Sequence, residues 1–368
     1  MDHNLHWKRL MIAILLSSQA YCQNSTSYNK LIETLNNKVP EFMKKKKVPG
    51  MAMAVFNEGK EIFKQGYGLS NIGIHEKVTS KTGFNIGSIS KLFTAVGIMI
   101  LVEEGKIDLD APAETYLTRW QLPKTKYDNQ KVTIRGLLNH TAGISVHGYP
   151  GFIVQKQLPS LEASLDGENG PVRANEKVEI IIEPNTKFQY SGGGYTILQL
   201  IIEEVSQMPF HKFMKKKVFR PLKMRNTSFN LSPKLLNKSA IPYDDNEKRL
   251  PFEYFTAQGA AGLHITLNDF ILFANEILNK HSILSSQSID LMTTPTKVSK
   301  GNYGLGFSIL KFGPLTFKGH SGSNTGWQSA FFIDFKNKSG LIMMTNGDEG
   351  KNVLINTLKT WASWKYKR

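Results

Sequence analysis

Three stretches of the chain carry the pattern Ser-x-x-Lys: Ser27 with Lys30, Ser88 with Lys91, and Ser308 with Lys311. A serine hydroxyl becomes a useful nucleophile beside a group that takes its proton, and a lysine can do so once it sheds its charge. Bringing an ordinary lysine from about 10.4 to near 7 amounts to roughly 4 kcal/mol of differential stabilisation, so such a pair belongs where water is scarce. Context separates the three. Ser27 and Lys30 fall in a ragged segment near the start, and Ser308 and Lys311 fall in a strand-like run, where residues three apart point to opposite faces. Ser88 and Lys91 open an apolar run that reaches Val102 and stops at Gly105, which reads as a buried helix. Three residues along a helix is about 300° of rotation, so the two side chains stand one turn apart on the same side. Ser88 would also sit among unpaired N–H groups at the positive end of the helix dipole, and Ile89, Leu92 and Phe93 supply apolar surroundings.

Two further segments could complete an acyl-transfer centre. Tyr190 and Ser191 precede three glycines and a helix expected to begin near Tyr195, so a phenol would be presented from a tight loop. The run Gly319-His320-Ser321-Gly322-Ser323 lies between two predicted strands, and its small residues would let backbone approach a ligand closely. Other chemistries are missing. There is no Gly-x-Ser-x-Gly elbow, no Walker loop and no Gly-x-Gly-x-x-Gly, and His75-Glu76 is followed by Thr79 where a second zinc ligand would stand. A single cysteine, Cys22, permits no intrachain disulfide and no thiolate metal cluster. No metal and no cofactor are expected.

These residues need a scaffold. A helical pattern runs from Tyr28 to Val48, and Gly50 to Asn57 and Lys60 to Gly68 read as a hairpin turning at Glu58 and Gly59. From Leu109 to Leu291 the signals are mostly helical. Strand-like runs return at Tyr303 to Phe312, Leu315 to Lys318, Trp327 to Phe335 and Gly340 to Thr345, before a closing helix from Lys351 to about Trp364. The expected fold class is therefore α/β of the α+β kind. One antiparallel sheet is built from both termini and flanked by helices, with a mostly helical region inserted. The sheet subdomain should cover about 23–85 and 295–368, and the helical subdomain about 106–294.

In this order the segments resemble the serine beta-lactamase and penicillin-binding superfamily, closest to its class C beta-lactamase, DD-peptidase and esterase branch. Leu138 to Gly143, Val218 to Met224, Ala261 to Leu263 and Tyr303 to Phe307 extend the likeness over most of residues 23–368. The resemblance implies a beta-lactamase/transpeptidase-like fold, with Ser88 as nucleophile, Lys91 as its activating partner and Tyr190 as proton shuttle. It also implies an oxyanion hole made by the N–H groups of Ser88 and Ser323, with His320, Ser321, Gly322 and Gly192 at the substrate. Two departures bear on specificity. Gly192 stands where members acting on beta-lactams or D-Ala peptides usually have Asn, and His320 replaces a common Lys, giving a side chain largely neutral at pH 7. The expected activity is an acyl-enzyme hydrolase of esters or amides, including peptides with D-residues, ahead of a true beta-lactamase or DD-carboxypeptidase. A non-catalytic binding protein retaining the fold is disfavoured by the intact Ser88, Lys91 and Tyr190.

Composition sets the remaining bounds. The chain has 368 residues, 40% of them hydrophobic, and 46 Lys plus Arg against 30 Asp plus Glu, which suits a large core under a basic surface. Lys8 and Arg9 before the short apolar run Leu10 to Leu16 read as an export signal over 1–22, with lipid anchoring through Cys22 disfavoured by the bulky Tyr21. The protein is thus expected in the periplasm or secreted, as a monomer without a transmembrane segment. Lys44 to Lys47 and Lys215 to Lys217 lack the interleaved aromatics of a nucleic-acid platform, so attraction to an anionic cell envelope is the preferred role of the charge.

Overall fold

The computed structural model describes residues 28–167 and 176–366; the expected export segment and the Ser27 pair's serine lie outside them. A helix over 28–45 (α1) leads into β1 (Gly50–Asn57) and β2 (Lys60–Asn71), joined through Glu58 and Gly59, both at positive φ. That conformation matches the twist of a tight hairpin. After β3 (Glu76–Lys77) the chain returns to the sheet only near its end, with β6 (Ser308–Phe312), β7 (Leu315–Asn324), β8 (Trp327–Asp334) and β9 (Ser339–Thr345). The strand order is β3-β2-β1-β9-β8-β7-β6, antiparallel throughout. The seam between the two ends is the β1–β9 pair, in register from Met51 opposite Thr345 to Phe56 opposite Gly340.

Every residue of β1 is buried, which is why it lacks the polar alternation of a one-sided strand. Its two faces still serve different cores. Ala52, Ala54 and Phe56 join the core of the helical side, whereas Met51, Met53 and Val55 meet Leu31, Leu35 and Val39 of α1 and Trp361 of the closing helix α11 (Gly350–Tyr366). On the helical side lies α2 (Ser90–Glu103), buried from Ser90 through Leu101, as an all-round apolar helix requires. Around it are α3 (Ile134–Leu138), α4 (Leu161–Asp166), α5 (Gly192–Ser206), α6 (Phe210–Met214), α7 (Pro233–Leu236), α8 (Gln258–Ala261), α9 (Leu267–Asn275) and α10 (Ser286–Thr293). No helix among the described residues is long and apolar enough to cross a membrane.

Three local expectations are corrected. The strand expected from Tyr303 begins only at Ser308, because Gly306 takes φ +83° and breaks the extended run. Strand β7 continues to Asn324, so the His320 to Ser323 run lies within a strand rather than between strands. Helix α5 starts at Gly192, not near Tyr195, because Ser191 caps it by accepting from Gly194 N–H. A small pair not foreseen from sequence, β4 (Gly83–Asn85) with β5 (His264–Thr266), ties the chain just ahead of α2 to the helical region.

Candidate active site

Ser88 sits on a single 3-10 turn, Gly87–Ile89, that runs directly into α2. One turn on, Lys91 is 1% exposed, with Nζ 3.1 Å from Ser88 Oγ and 2.8 Å from the carbonyl oxygen of Ala260. The ring centroids of Tyr190 and Tyr195 lie 5.0 and 5.9 Å from the same nitrogen. A charged Lys91 donates to both oxygens. Once neutral, it keeps an N–H on Ala260 and offers its lone pair to the Ser88 hydroxyl, the geometry that proton abstraction needs.

The Ala260 carbonyl is held by buried polar side chains on two helices. Thr94 Oγ1 donates to Gly259 O at 2.8 Å, and Gln199 accepts from Gly259 N at 2.8 Å while donating to Thr256 O at 3.0 Å. Ser90 Oγ accepts from Leu263 N at 3.0 Å. Helix α8 is thus pinned between α2 and α5, and Lys91 receives a fixed acceptor.

Backbone contact builds the other half of the site. Gly87 has φ +50°, and a Cβ placed on it would lie 2.6 Å from Ser323 N; a Cβ on Gly322 would lie 1.9 Å from Ile86 O. Only glycine at both points allows the Ser88 turn to rest against β7. Asn85 Oδ1 accepts from Gly87 N at 2.8 Å and from Asn324 Nδ2 at 2.7 Å, which locks the two segments together. The backbones of Ser88 and Ser323 therefore border one space, as an oxyanion hole requires. The Ser323 hydroxyl is turned to Gln328 Nε2 at 2.9 Å, so it is the main chain that Ser323 offers there. A cleft of about 1350 Å³ opens over Ser88, Lys91, Tyr190, His320, Ser321, Gly322 and Ser323.

Comparison with known proteins places the chain in a family. A family model described as Beta-lactamase matches residues 35–360. The chain belongs to the beta-lactamase family. It is 28% identical over 312 residues to penicillin-binding protein 4* of Bacillus subtilis, covering 79% of this chain and 66% of that one. It is 25% identical to the protein flp of Staphylococcus aureus, covering 83% and 61%. The chain therefore spans about two thirds or less of these relatives. Among solved structures, the octameric penicillin-binding protein homologue from Pyrococcus abyssi matches with a TM-score of 0.70 and 27% identity, over 86% of this chain and 74% of that one. SurE, solved with D-Leu, shares the fold at a TM-score of 0.73 and 22% identity, over 91% and 76%.

Within this family framework, the sequence does not single out His140, which packs behind the cleft, or Tyr303, which lines it. His140 Nδ1 accepts the Ser191 N–H at 3.1 Å, and its ring lies 4.3 Å from that of Tyr190, so it props the tyrosine loop from below. Tyr303 accompanies it. Because Ser321 O can only accept, His320 carries its proton on Nδ1 and receives the Tyr303 hydroxyl on Nε2 at 2.9 Å. Burial, reinforced by the Lys91 charge, pushes His320 down to about 4 and His140 well below the ordinary histidine range. His320 is neutral at pH 7, as its replacement of lysine suggested. His140 and Tyr303 lie in segments that carried the resemblance, yet only the tertiary contacts assign them work.

Gly192 takes a different place from the one expected. It is buried in the first turn of α5, donates to His147 O at 3.0 Å, and lies behind the residues that line the cleft. A Cβ there would come 3.1 Å from His147 O and 3.3 Å from Gly148 Cα. The loop bearing His147, which lines the cleft and packs its ring 5.0 Å from Tyr190, occupies the adjoining space. Ser308 also borders the cleft, but Lys311 is exposed further along β6, so that pair is not assembled.

Proposed function

We propose that this beta-lactamase-family protein is an exported serine hydrolase that acylates Ser88 and cleaves small esters or amides, peptides containing D-residues among them. The observation that carries the reading is the buried Lys91 amine 3.1 Å from Ser88 Oγ, with a second acceptor fixed on Ala260. Lys91 takes the serine proton as Ser88 attacks the carbonyl carbon. The N–H groups of Ser88 and Ser323 receive the oxyanion, and Tyr190 relays the proton held on Lys91 to the leaving group as the bond to it breaks. Water, giving a proton back along the same path to Ser88, then releases the acyl chain as the acid. Specificity follows from what the cleft lacks. With His320 neutral, the third motif does not supply the positive charge that a carboxylate-bearing peptide or beta-lactam would use.

The test is trapping with a fluorophosphonate and with a labelled penicillin, followed by mass spectrometric mapping. The adduct should fall on the Ser88 peptide, and Lys91→Arg, which keeps the charge but cannot deprotonate, should fold and lose most labelling. Label on Ser308 or Ser27, or an undiminished rate in Lys91→Arg, overturns the assignment. Short activated esters should be turned over much faster than cephalosporins; the reverse order would make the protein a beta-lactamase.

A further inference from the structure

A second cavity, of about 480 Å³, is enclosed by residues 215–238 and shares no lining residue with the Ser88 cleft. Six of its fourteen lining residues are cations, Lys215, Arg220, Lys223, Arg225, Lys234 and Lys238, and none is Asp or Glu. The whole chain holds 46 Lys plus Arg in 368 residues, so the cavity concentrates positive charge about threefold over the average. None of the six makes an ion pair among the described residues, whereas the neighbouring Lys217 pairs with Glu104. Like charges around one concavity repel one another, and together they raise a positive potential that draws in anions.

The wall behind them is anchored. Asp269, buried beneath it, accepts from Asn226 N and from the Thr227 hydroxyl at 2.8 Å, so this carboxylate is engaged by the wall and does not line the cavity. Ser232 accepts from Leu235 N at the cap of α7, which leaves its hydroxyl hydrogen to donate. The lining thus combines hydrogen-bond donors and several unpaired charges with the apolar side chains of Phe219, Met224 and Leu235.

We propose that this cavity binds a phosphate-bearing ligand carrying more than one negative charge, at a site separate from Ser88. Two guanidinium groups offer the fork geometry that matches phosphate oxygens, and the lysines add point charges around it. The shared chemistry is the phosphate group, whether on a free small molecule or on an anionic lipid.

The experiment measures binding of inorganic tripolyphosphate by calorimetry, and of phosphatidylcholine vesicles containing cardiolipin, whose headgroup carries two phosphates, by co-sedimentation, with the full chain. The pair Arg220→Gln and Arg225→Gln is compared with Lys44→Gln and Lys45→Gln, which removes the same charge from α1. The pocket pair should weaken binding by at least about tenfold, and the α1 pair by less than about twofold. Lys234→Gln with Lys238→Gln replaces the arginine pair if that variant does not fold. Capture of tripolyphosphate alone identifies a free phosphate compound, and capture of both probes with the same mutational pattern identifies a headgroup. Equal losses in the two pairs, no binding of either probe, or equally tight binding of citrate overturns the proposal. Turnover at Ser88 is read separately, so failure here leaves the hydrolase assignment standing.

Discussion

Gly192 shows how little room a single residue has to change what the cleft accepts. Its backbone is not left-handed, so conformational strain is not the obstacle to a side chain; the main chain of His147 and Gly148 is. In Gly192→Asn that loop must give way by a few tenths of an ångström, at a cost of about 1 to 3 kcal/mol. The new side chain would press on the His147–Gly148 loop, which lines the cleft and packs against Tyr190. The expected outcome is a lower melting temperature together with an altered ratio of penicillin acylation to ester turnover. An unchanged ratio in a folded variant would remove Gly192 from the determinants of specificity.

At the scale of elements, the site depends on two segments touching through bare backbone. The 3-10 turn before α2 and the end of β7 are held at contact distance by Gly87 and Gly322, and by the Asn85 and Asn324 side chains. Gly87→Ala puts a methyl group 2.6 Å from Ser323 N in a left-handed conformation. That conformation costs about 1 to 2 kcal/mol, and the displaced strand end loses its alignment with Ser88. We expect turnover to fall about 100-fold to 1,000-fold, the usual effect of losing one oxyanion donor, while the chain still folds. Steady-state kinetics beside a thermal melt decides the matter. A rate near wild type would mean that the contact between the turn and β7 does not set the reacting geometry.

Across the whole molecule, buried neutral histidines tie stability to pH. Burial pushes His264 down to about 3 and His320 to about 4. Both folded values lie below the value of about 6.5 in an unfolded chain, so between the two it is the unfolded chain that binds the extra proton. Their contribution is intact above about pH 6.5 and is lost as pH falls towards 4 for His320 and 3 for His264. Fully expressed, the loss is on the order of 3 to 5 kcal/mol apiece. Asp269 and Asp348, raised by burial, act in the opposite sense. Denaturant unfolding should show stability falling between pH 7 and about pH 5, and His264→Leu should flatten that slope by close to one proton. A slope that survives intact in His264→Leu would place the acid sensitivity elsewhere.

The pairing of Ser88 with Lys91 was legible because a helix repeats by its own backbone hydrogen bonds, so a spacing of three residues dictates adjacency without knowledge of the rest of the chain. The β1–β2 hairpin was legible for the same reason, its turn being written in two consecutive residues. The sheet built from both ends could be read from the distribution of strand-like runs. The Tyr190 and His320 segments were recognised through their resemblance to a family. The remainder needed contacts between residues far apart in sequence. Gly322 sits against Ile86, Ala260 against Lys91 and Ser191 against His140, and no local pattern encodes those distances. Strand β7 runs beyond its sequence pattern because glycine is a poor strand former, and pairing of His320 to Ser323 with β8 overrides that preference. The neutrality of His320 has the same origin. Histidine titrates near neutrality wherever water reaches it, and only the packing of β7 against the helical side decides that water does not.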